Sequence, residues 1–424
     1  MSDYSNKQAA SGLMTSFDPG ALNPPPHTLE RLVALERDHG APNHPVLPVV
    51  VARGRGSWVQ DTDGVRYLDF LSSHFALNQG HRHPHIIAAL KAQVDRLTLT
   101  AQAVHHDQLG PFLAKLTELT GLGAVLPQST GSEAVALGLR TVRQWAFQAK
   151  GVRIDESEIV VASGGCHGRM MAMGMLDSGD PEQTDLPPST SGFRMIPYGD
   201  SAALEAAITP NTAAFLLEPI QTEGAIVLPP DGYLARVREI CDAHKVLLFV
   251  DELQSGLGRT GTMFAYEHAG IRPDCMTIGQ SLGGGVYPVS AFLADRPIMD
   301  VLEPGAQATT YGGNPLAGAV GIAAIEVIEN EDLVGKSRDL GEKLATAIRE
   351  MDSPHVVDVR GSGLLVGIEI ETRSGPAQTF CDALLKRHVL TQATHEQVIR
   401  LAPPLNIEDI DLEWAISNIG EVLS

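Results

Sequence analysis

Ser129-Thr130-Gly131-Ser132-Glu133 stands directly before an apolar-periodic stretch (Val135, Leu139, Val142) whose spacing predicts a helix. A helix start at that point offers backbone N–H groups and small hydroxyls at its positive end, which makes a seat for a phosphate; an ordinary capping segment would use the same residue types. Asp251-Glu252 ends the most apolar run, residues 246–250, so a carboxylate lies at the rim of a sheet and wants a cationic partner. A protonated ring nitrogen would serve, and so would the nearby Arg259. Gly279-Gln280-Ser281-Leu282 is followed by three glycines, Gly283, Gly284 and Gly285, where the backbone either passes close to something or turns tightly. The alternating His81, His83 and His85 are not read as a metal site, because Pro84 breaks any regular strand that would align them. Cys166-His167 is not read as a thiolate pair, since sequence neighbours point apart.

The elements that must position these residues follow from pattern. Short apolar runs at 158–162, 213–218, 246–251 and 275–278 end in polar residues or glycine, and Leu234, Val237, Ile240 and Cys241 form the inward face of a helix between the second and third. This is an α/β pattern, a mostly parallel doubly wound sheet covered on both faces, with ligands expected at the carboxyl ends of its strands. The last hundred residues carry a charged helix at 333–351, a strand at 363–370 and a final helix with Leu412, Ile416, Ile419 and Leu423 in register, which reads as a smaller α+β domain. Upstream, a helix from Thr28 with Leu29, Leu32 and Val33 on its apolar face stops at Gly40, Asp63-Gly64 marks a hairpin, and Pro84 opens a helix with Ile87, Leu90, Val94 and Leu97 on one stripe. Expected boundaries are a flexible arm at 1–27, a segment at 28–75 that joins the small domain, a large domain at 76–325 and a small one at 326–424.

Composition narrows the classes. In 424 residues, 43% hydrophobic and 19% charged describe a folded protein, and a net charge of −20 argues against nucleic acid and anionic membranes as partners. No apolar run approaches the roughly 20 residues that span a bilayer, and four scattered cysteines suit a reducing compartment, so a cytoplasmic location is expected.

Taken together, Asn78-Gln79-Gly80-His81, Glu218-Pro219-Ile220-Gln221, Val250-Asp251-Glu252-Leu253-Gln254, Gly258-Arg259-Thr260-Gly261, Thr310-Tyr311-Gly312-Gly313-Asn314-Pro315 and Arg400-Leu401-Ala402-Pro403-Pro404-Leu405 resemble the class III aminotransferases, closest to their ornithine aminotransferase branch. The resemblance runs from about residue 45 to the end. It implies a fold type I pyridoxal-phosphate (PLP) transferase in which Gly131 and Ser132 hold the cofactor phosphate, Asp251 pairs with the ring nitrogen and Gln254 touches the ring hydroxyl. It also implies that Thr310 reaches the phosphate of a partner subunit in a homodimer or higher assembly. Glu223 and Arg400 correspond to a gate pair that releases Arg400 for the carboxylate of an amino-acid substrate.

Three departures bear on function. The family's Schiff-base lysine falls on Gln280, and an amide neither forms a Schiff base nor acts as a base near neutral pH. The aromatic residue that stacks on the cofactor falls on Cys166. Two substrate-side tyrosines fall on His44 and His74. The reading is therefore a PLP-dependent aminotransferase-like enzyme for an ornithine-like or ω-amino acid, silenced at Gln280 either by an engineered replacement or by natural divergence; the retained Asp251, Gln254, Thr310 and Arg400 favour the engineered replacement. The alternatives are PLP-dependent elimination, replacement or carbon-carbon bond formation in specialised biosynthesis on a larger amino acid, or a non-catalytic regulatory dimer that binds PLP or an amino acid.

Overall fold

The computed structural model describes residues 29–41, 46–168, 192–305 and 309–424. The expected 1–27 arm and His44 lie outside the described residues. The chain forms two compact units, one of residues 1–53 and 60–66, the other of 54–59 and 67–424.

In the first unit, helix α1 (Leu29–His39) ends where Gly40 N–H reaches Glu36 O at 2.7 Å, the stop expected at that glycine. None of its residues is buried, and Val33, placed on its apolar face by pattern, is exposed. The Asp63-Gly64 turn forms as expected, with the Asp61 carboxylate accepting from the amides of Asp63 (2.9 Å) and Val65 (2.8 Å). The nearby strands are β1 (Val51–Arg55), β2 (Trp58–Asp61) and β3 (Arg66–Asp69).

In the second unit, helix α2 (Pro84–Val94) begins at its proline, but the face it buries is Ile86 and Gln93. Val94 and Leu97 of the expected stripe are exposed, because the chain leaves the helix after Val94 and Gln93 bonds back to the carbonyl of Leu97 instead. Helix α3 (Leu109–Thr120) leads into a seven-stranded sheet built from β4 (Ala124–Gln128), β5 (Glu158–Ala162), β6 (Phe193–Ile196), β7 (Thr212–Leu217), β8 (Leu247–Asp251), β9 (Cys275–Ile278) and β10 (Ser290–Ala294). Their spatial order is β4-β10-β9-β8-β7-β5-β6, and β10 alone runs opposite to the other six.

Every residue of β7 and β8 is buried, as strands covered on both faces require. Alternation along them separates two cores. Val160, Phe215, Leu217, Leu248 and Val250 pack on one face, while Ile159, Val161, Leu216 and Phe249 pack with Val135, Leu139 and Val142 of helix α4 (Gly131–Trp145) on the other. Gly138 permits that contact. A Cβ there would stand 2.4 Å from the Phe249 ring, so only glycine lets α4 lie this close to the sheet. Helices α5 (Ser201–Ala207) and α6 (Tyr233–His244) complete the crossovers, and α6 buries Leu234, Val237, Ile240 and Cys241 as its spacing predicts.

After α7 (Pro315–Asn330) and α8 (Leu333–Glu350) comes an antiparallel sheet of order β11-β12-β15-β14, from β11 (Val356–Ser362), β12 (Leu365–Ile370), β14 (Gln392–Thr394) and β15 (Val398–Leu401). Helices α8 and α9 (Ala377–Lys386) pack beside it, and α10 (Asp409–Leu423) packs on both helices, burying Leu412, Ala415, Ile419 and Leu423. The short β13 (Val389–Leu390) pairs in parallel with Leu68 and Asp69, so residues 67–70 are tied to the C-terminal region.

Candidate active site

Three strands and one helix converge at the carboxyl ends of the large sheet. β8 ends on Asp251, 2% exposed. Its Oδ1 accepts from the Thr277 hydroxyl at 2.9 Å and from the Leu253 amide at 3.2 Å, and its Oδ2 lies 2.8 Å from His167 Nδ1. Because β8 and β9 pair Asp251 with Thr277, the sheet register itself supplies the first of these bonds. Arg259, the alternative partner considered for the Asp251-Glu252 pair, is elsewhere. Its guanidinium donates to Leu364 O (2.9 Å), Pro403 O (2.6 Å) and Asn78 Oδ1 (2.6 Å), and full burial lowers its pKa to about 9 against the pull of Asp69. Glu252 accepts from the Ser255 hydroxyl and the Tyr266 amide, and burial raises its pKa to about 7.

The helix α4 start lies on the same rim. Thr130 caps it, and Glu133 closes a capping box that engages the amides of Ser129, Thr130 and Glu133. The amides of Gly131 and Ser132 belong to the first turn, which has no intrahelical acceptors. Two glycines keep this turn in close contact with its surroundings: a Cβ on Gly131 would meet Leu253 at 2.8 Å, and one on Gly168, at φ +100°, would meet Ser132 Oγ at 2.5 Å. Leu253 also fills the space beside Gly279, where a Cβ would approach it to 2.7 Å. Leu253 therefore links the helix start to the turn that carries Gln280. Gln280 begins a short 3-10 turn directly after β9 and holds a left-handed φ of +48°. Its Oε1 is buried without a hydrogen-bond partner.

Cys166 lies in the segment after β5, its amide donating to Glu218 Oε2 at 3.0 Å. Gln254 accepts a hydrogen bond from the Thr222 hydroxyl, which orients its amide. Thr310 is exposed in the single chain, in a stretch whose Gly312 packs on the Pro127 carbonyl at the end of β4. That places Thr310 near the strand leading to the helix start, while no contact brings it to Asp251. It lines an open cleft of about 540 Å³ with Leu99, Thr100, Ala101, Gln102 and Thr309.

A second cluster forms around Arg400, on β15. Its guanidinium is 3% exposed and donates to Glu223 Oε1 at 2.8 Å, while its other terminal nitrogen meets His74 Nδ1 at 3.1 Å. The Phe75 ring lies under the guanidinium, 5.2 Å from its carbon. Burial alone would raise the Glu223 carboxyl, but contact with His74 and the charge of Arg400 outweigh it and lower it from 4.5 to about 2. His74 and Phe75 reach this place through an unusual turn. Ser72, Ser73, His74 and Phe75 all have positive φ (45°, 47°, 53° and 71°), and the Asp69 carboxylate holds its entrance by accepting from the amides of Leu71 and Ser72. Left-handed conformation costs an L-residue about 1–2 kcal/mol, so four in succession persist only because their surroundings demand it.

Sequence reasoning singled out Gly131, Ser132, Asp251, Cys166 and Gln280, which the structure brings to one rim, and the Glu223–Arg400 pair, to which the structure adds His74. It missed His167, which holds Asp251, and the Asn78–Arg259 pair. For His167 a signal existed: it follows a predicted strand by five residues, at the end of the sheet where ligands gather. His81, His83 and His85 each take a different carboxylate, of Asp69, Glu331 and Glu326.

The residues present fit pyridoxal phosphate. A helix start with two uncommitted turn amides and a buried carboxylate fixed by three donors border one rim. Known proteins agree. The family profile of aminotransferase class-III matches residues 39–423. Ornithine aminotransferases from Bacillus cereus (strain Q1) and Bacillus subtilis (strain 168) are both 48% identical, over 93% and 91% of this chain and 98% and 95% of their own. Among solved structures, an ornithine aminotransferase from Toxoplasma gondii ME49 matches with a TM-score of 0.91 and 37% identity, covering 94% of this chain and 95% of that one. An acetylornithine aminotransferase from Elizabethkingia anophelis matches at 0.85 and 38%, covering 94% and 99%. Sequence, fold and site together make this chain a member of the class-III aminotransferases, PLP-dependent enzymes that act on amino acids.

Proposed function

We propose that this chain binds PLP non-covalently and belongs to an enzyme for an ornithine-like or ω-amino acid, with Gln280 in the lysine position silencing turnover. In this reading the Gly131 and Ser132 amides hold the phosphate, Asp251 the ring nitrogen and Gln254 the ring hydroxyl, while Cys166 occupies the stacking position. When bound, the cofactor supplies an electron sink for charge developing at the substrate α-carbon. Asp251 keeps the ring nitrogen protonated, and His167 and Thr277 hold Asp251 in place. Arg400 takes the substrate carboxylate in a planar fork once Glu223 lets go, and His74 borders that pocket. His44 is assigned to the substrate side on the resemblance alone.

The carrying observation is the Glu223–Arg400 pair at 2.8 Å: a buried guanidinium already matched to a carboxylate, in a chain whose relatives are named for ornithine. The same reading includes a homodimer in which Thr310 completes the partner's phosphate site, a cytoplasmic location, and division into 28–75, 76–325 and 326–424. The pairing of Leu68 with Val389 supports joining the first of these to the last. Assaying the Gln280→Lys protein against a panel of amino donors tests the function. Transamination of ornithine or another ω-amino acid is the expected result. Cofactor capture with no transamination of any donor would move the assignment to elimination, replacement or carbon-carbon bond formation.

A further inference from the structure

We infer that this site selects the amine form of the cofactor, pyridoxamine phosphate, over the aldehyde form, with Gln280 Oε1 as the acceptor for the amino group. The inference rests on the cofactor site proposed above. Gln280 follows β9, the strand whose Thr277 donates to Asp251, and it is coupled through Gly279 and Leu253 to the helix start at Gly131. It is thus attached to both ends of the cofactor seat. Its Oε1 is buried with no partner, at a residue held in the left-handed region. A buried carbonyl oxygen left without a donor is costly, so a ligand that brings an N–H to this position gains what the chain alone forgoes. An amino group brings that N–H. An aldehyde oxygen is a second acceptor and brings none.

A covalent bond between a lysine and the cofactor is open to the aldehyde form only, whereas a lysine ammonium repels the ammonium of the amine form. Glutamine removes both effects together. The phosphate seat and Asp251, which serve the two forms alike, are intact, so the change at position 280 alters their ratio rather than their common affinity.

The test is equilibrium binding with the full-length protein, titrated by calorimetry with pyridoxamine phosphate and, separately, with pyridoxal phosphate. The unmodified chain is expected to bind the amine form at least about 10-fold more tightly, the scale of one hydrogen bond to a charged group. Gln280→Met, which keeps the length and removes the acceptor, should shrink that ratio, and Gln280→Lys should invert it. Equal or tighter binding of the aldehyde form by the unmodified chain would overturn the inference while leaving the cofactor site standing. An unchanged ratio in Gln280→Met would overturn the role of Oε1. Binding of neither form would overturn the cofactor-site reading, and this inference with it.

Discussion

The rim around Asp251 and the cluster around Arg400 solve the problem of placing a charge in opposite ways. Asp251 sits at the end of a buried strand, and its partners are Thr277 from the paired strand and His167 and Leu253 from the loops at the same rim. Arg400 is also on a strand, but two of its partners hang from four consecutive left-handed residues, and His74 keeps a side chain 60% exposed. The first arrangement is built to hold one geometry. The second matches a buried cation to a carboxylate that a substrate can replace, beside a side chain open to solvent. Departures from the family pattern fall in both regions: Gln280 and Cys166 at the rim, and His74 beside Arg400.

That contrast can be broken most forcefully at position 280. Gln280→Lys should raise turnover on the true substrate by at least about 10²- to 10⁴-fold, the contribution of a positioned general base, measured by coupled amino-donor assay. A smaller gain would mean that the rim has lost more than one residue. Arg400→Lys tests the other cluster. It keeps the charge and loses the planar fork, so carboxylate affinity should drop by about 10-fold or more while cofactor binding stays, as read by substrate titration of the loaded protein. A loss of stability without a loss of affinity would make the Glu223–Arg400 contact a purely structural pair. Thr310→Val should weaken cofactor binding by about 1–3 kcal/mol and only in the assembled dimer, which light scattering alongside binding would resolve.

The smallest expected effect separates the two regions by pH. Glu252, next to Asp251, has its folded pKa raised from 4.5 to about 7, so the folded state holds this proton more tightly than the unfolded one. Its stabilising share is full below pH 4.5 and is lost as pH rises through 7. Glu223 is the reverse: lowered to about 2, it contributes above pH 4.5 and the contribution is lost as pH falls toward 2. Glu252→Gln should therefore remove a decline in melting temperature between pH 4.5 and 8 and raise the melting temperature at pH 8. An unchanged pH profile would contradict the burial of a proton at Glu252.

Much of the rim was legible because it follows periodicity. The strands at 158–162 and 275–278 match the observed bounds, and the ends of the others differ by one residue. β4, β6 and β10 were not foreseen: Ala124–Gln128 contains Pro127, Phe193–Ile196 is only four residues long, and the small residues of Ser290–Ala294 carry little strand preference. The Arg400 cluster was legible only through resemblance. Nothing local in Ser72-Ser73-His74-Phe75 signals four positive φ angles, since no glycine is present and tertiary contacts impose the turn. Arg259 misled for a related reason. Proximity in sequence suggested a carboxylate partner, whereas the fold gives it two carbonyls and an amide from segments 105, 144 and 181 residues away.

The central claim is a PLP site that holds its cofactor without a covalent bond. Incubation with one equivalent of PLP, borohydride reduction and peptide mapping by mass spectrometry tests it directly. The account predicts no cofactor mass at position 280 or at any other single residue of the unmodified chain, and stoichiometric labelling at position 280 in the Gln280→Lys variant. Stoichiometric labelling of one residue in the unmodified chain, or none at position 280 in the variant, would contradict it.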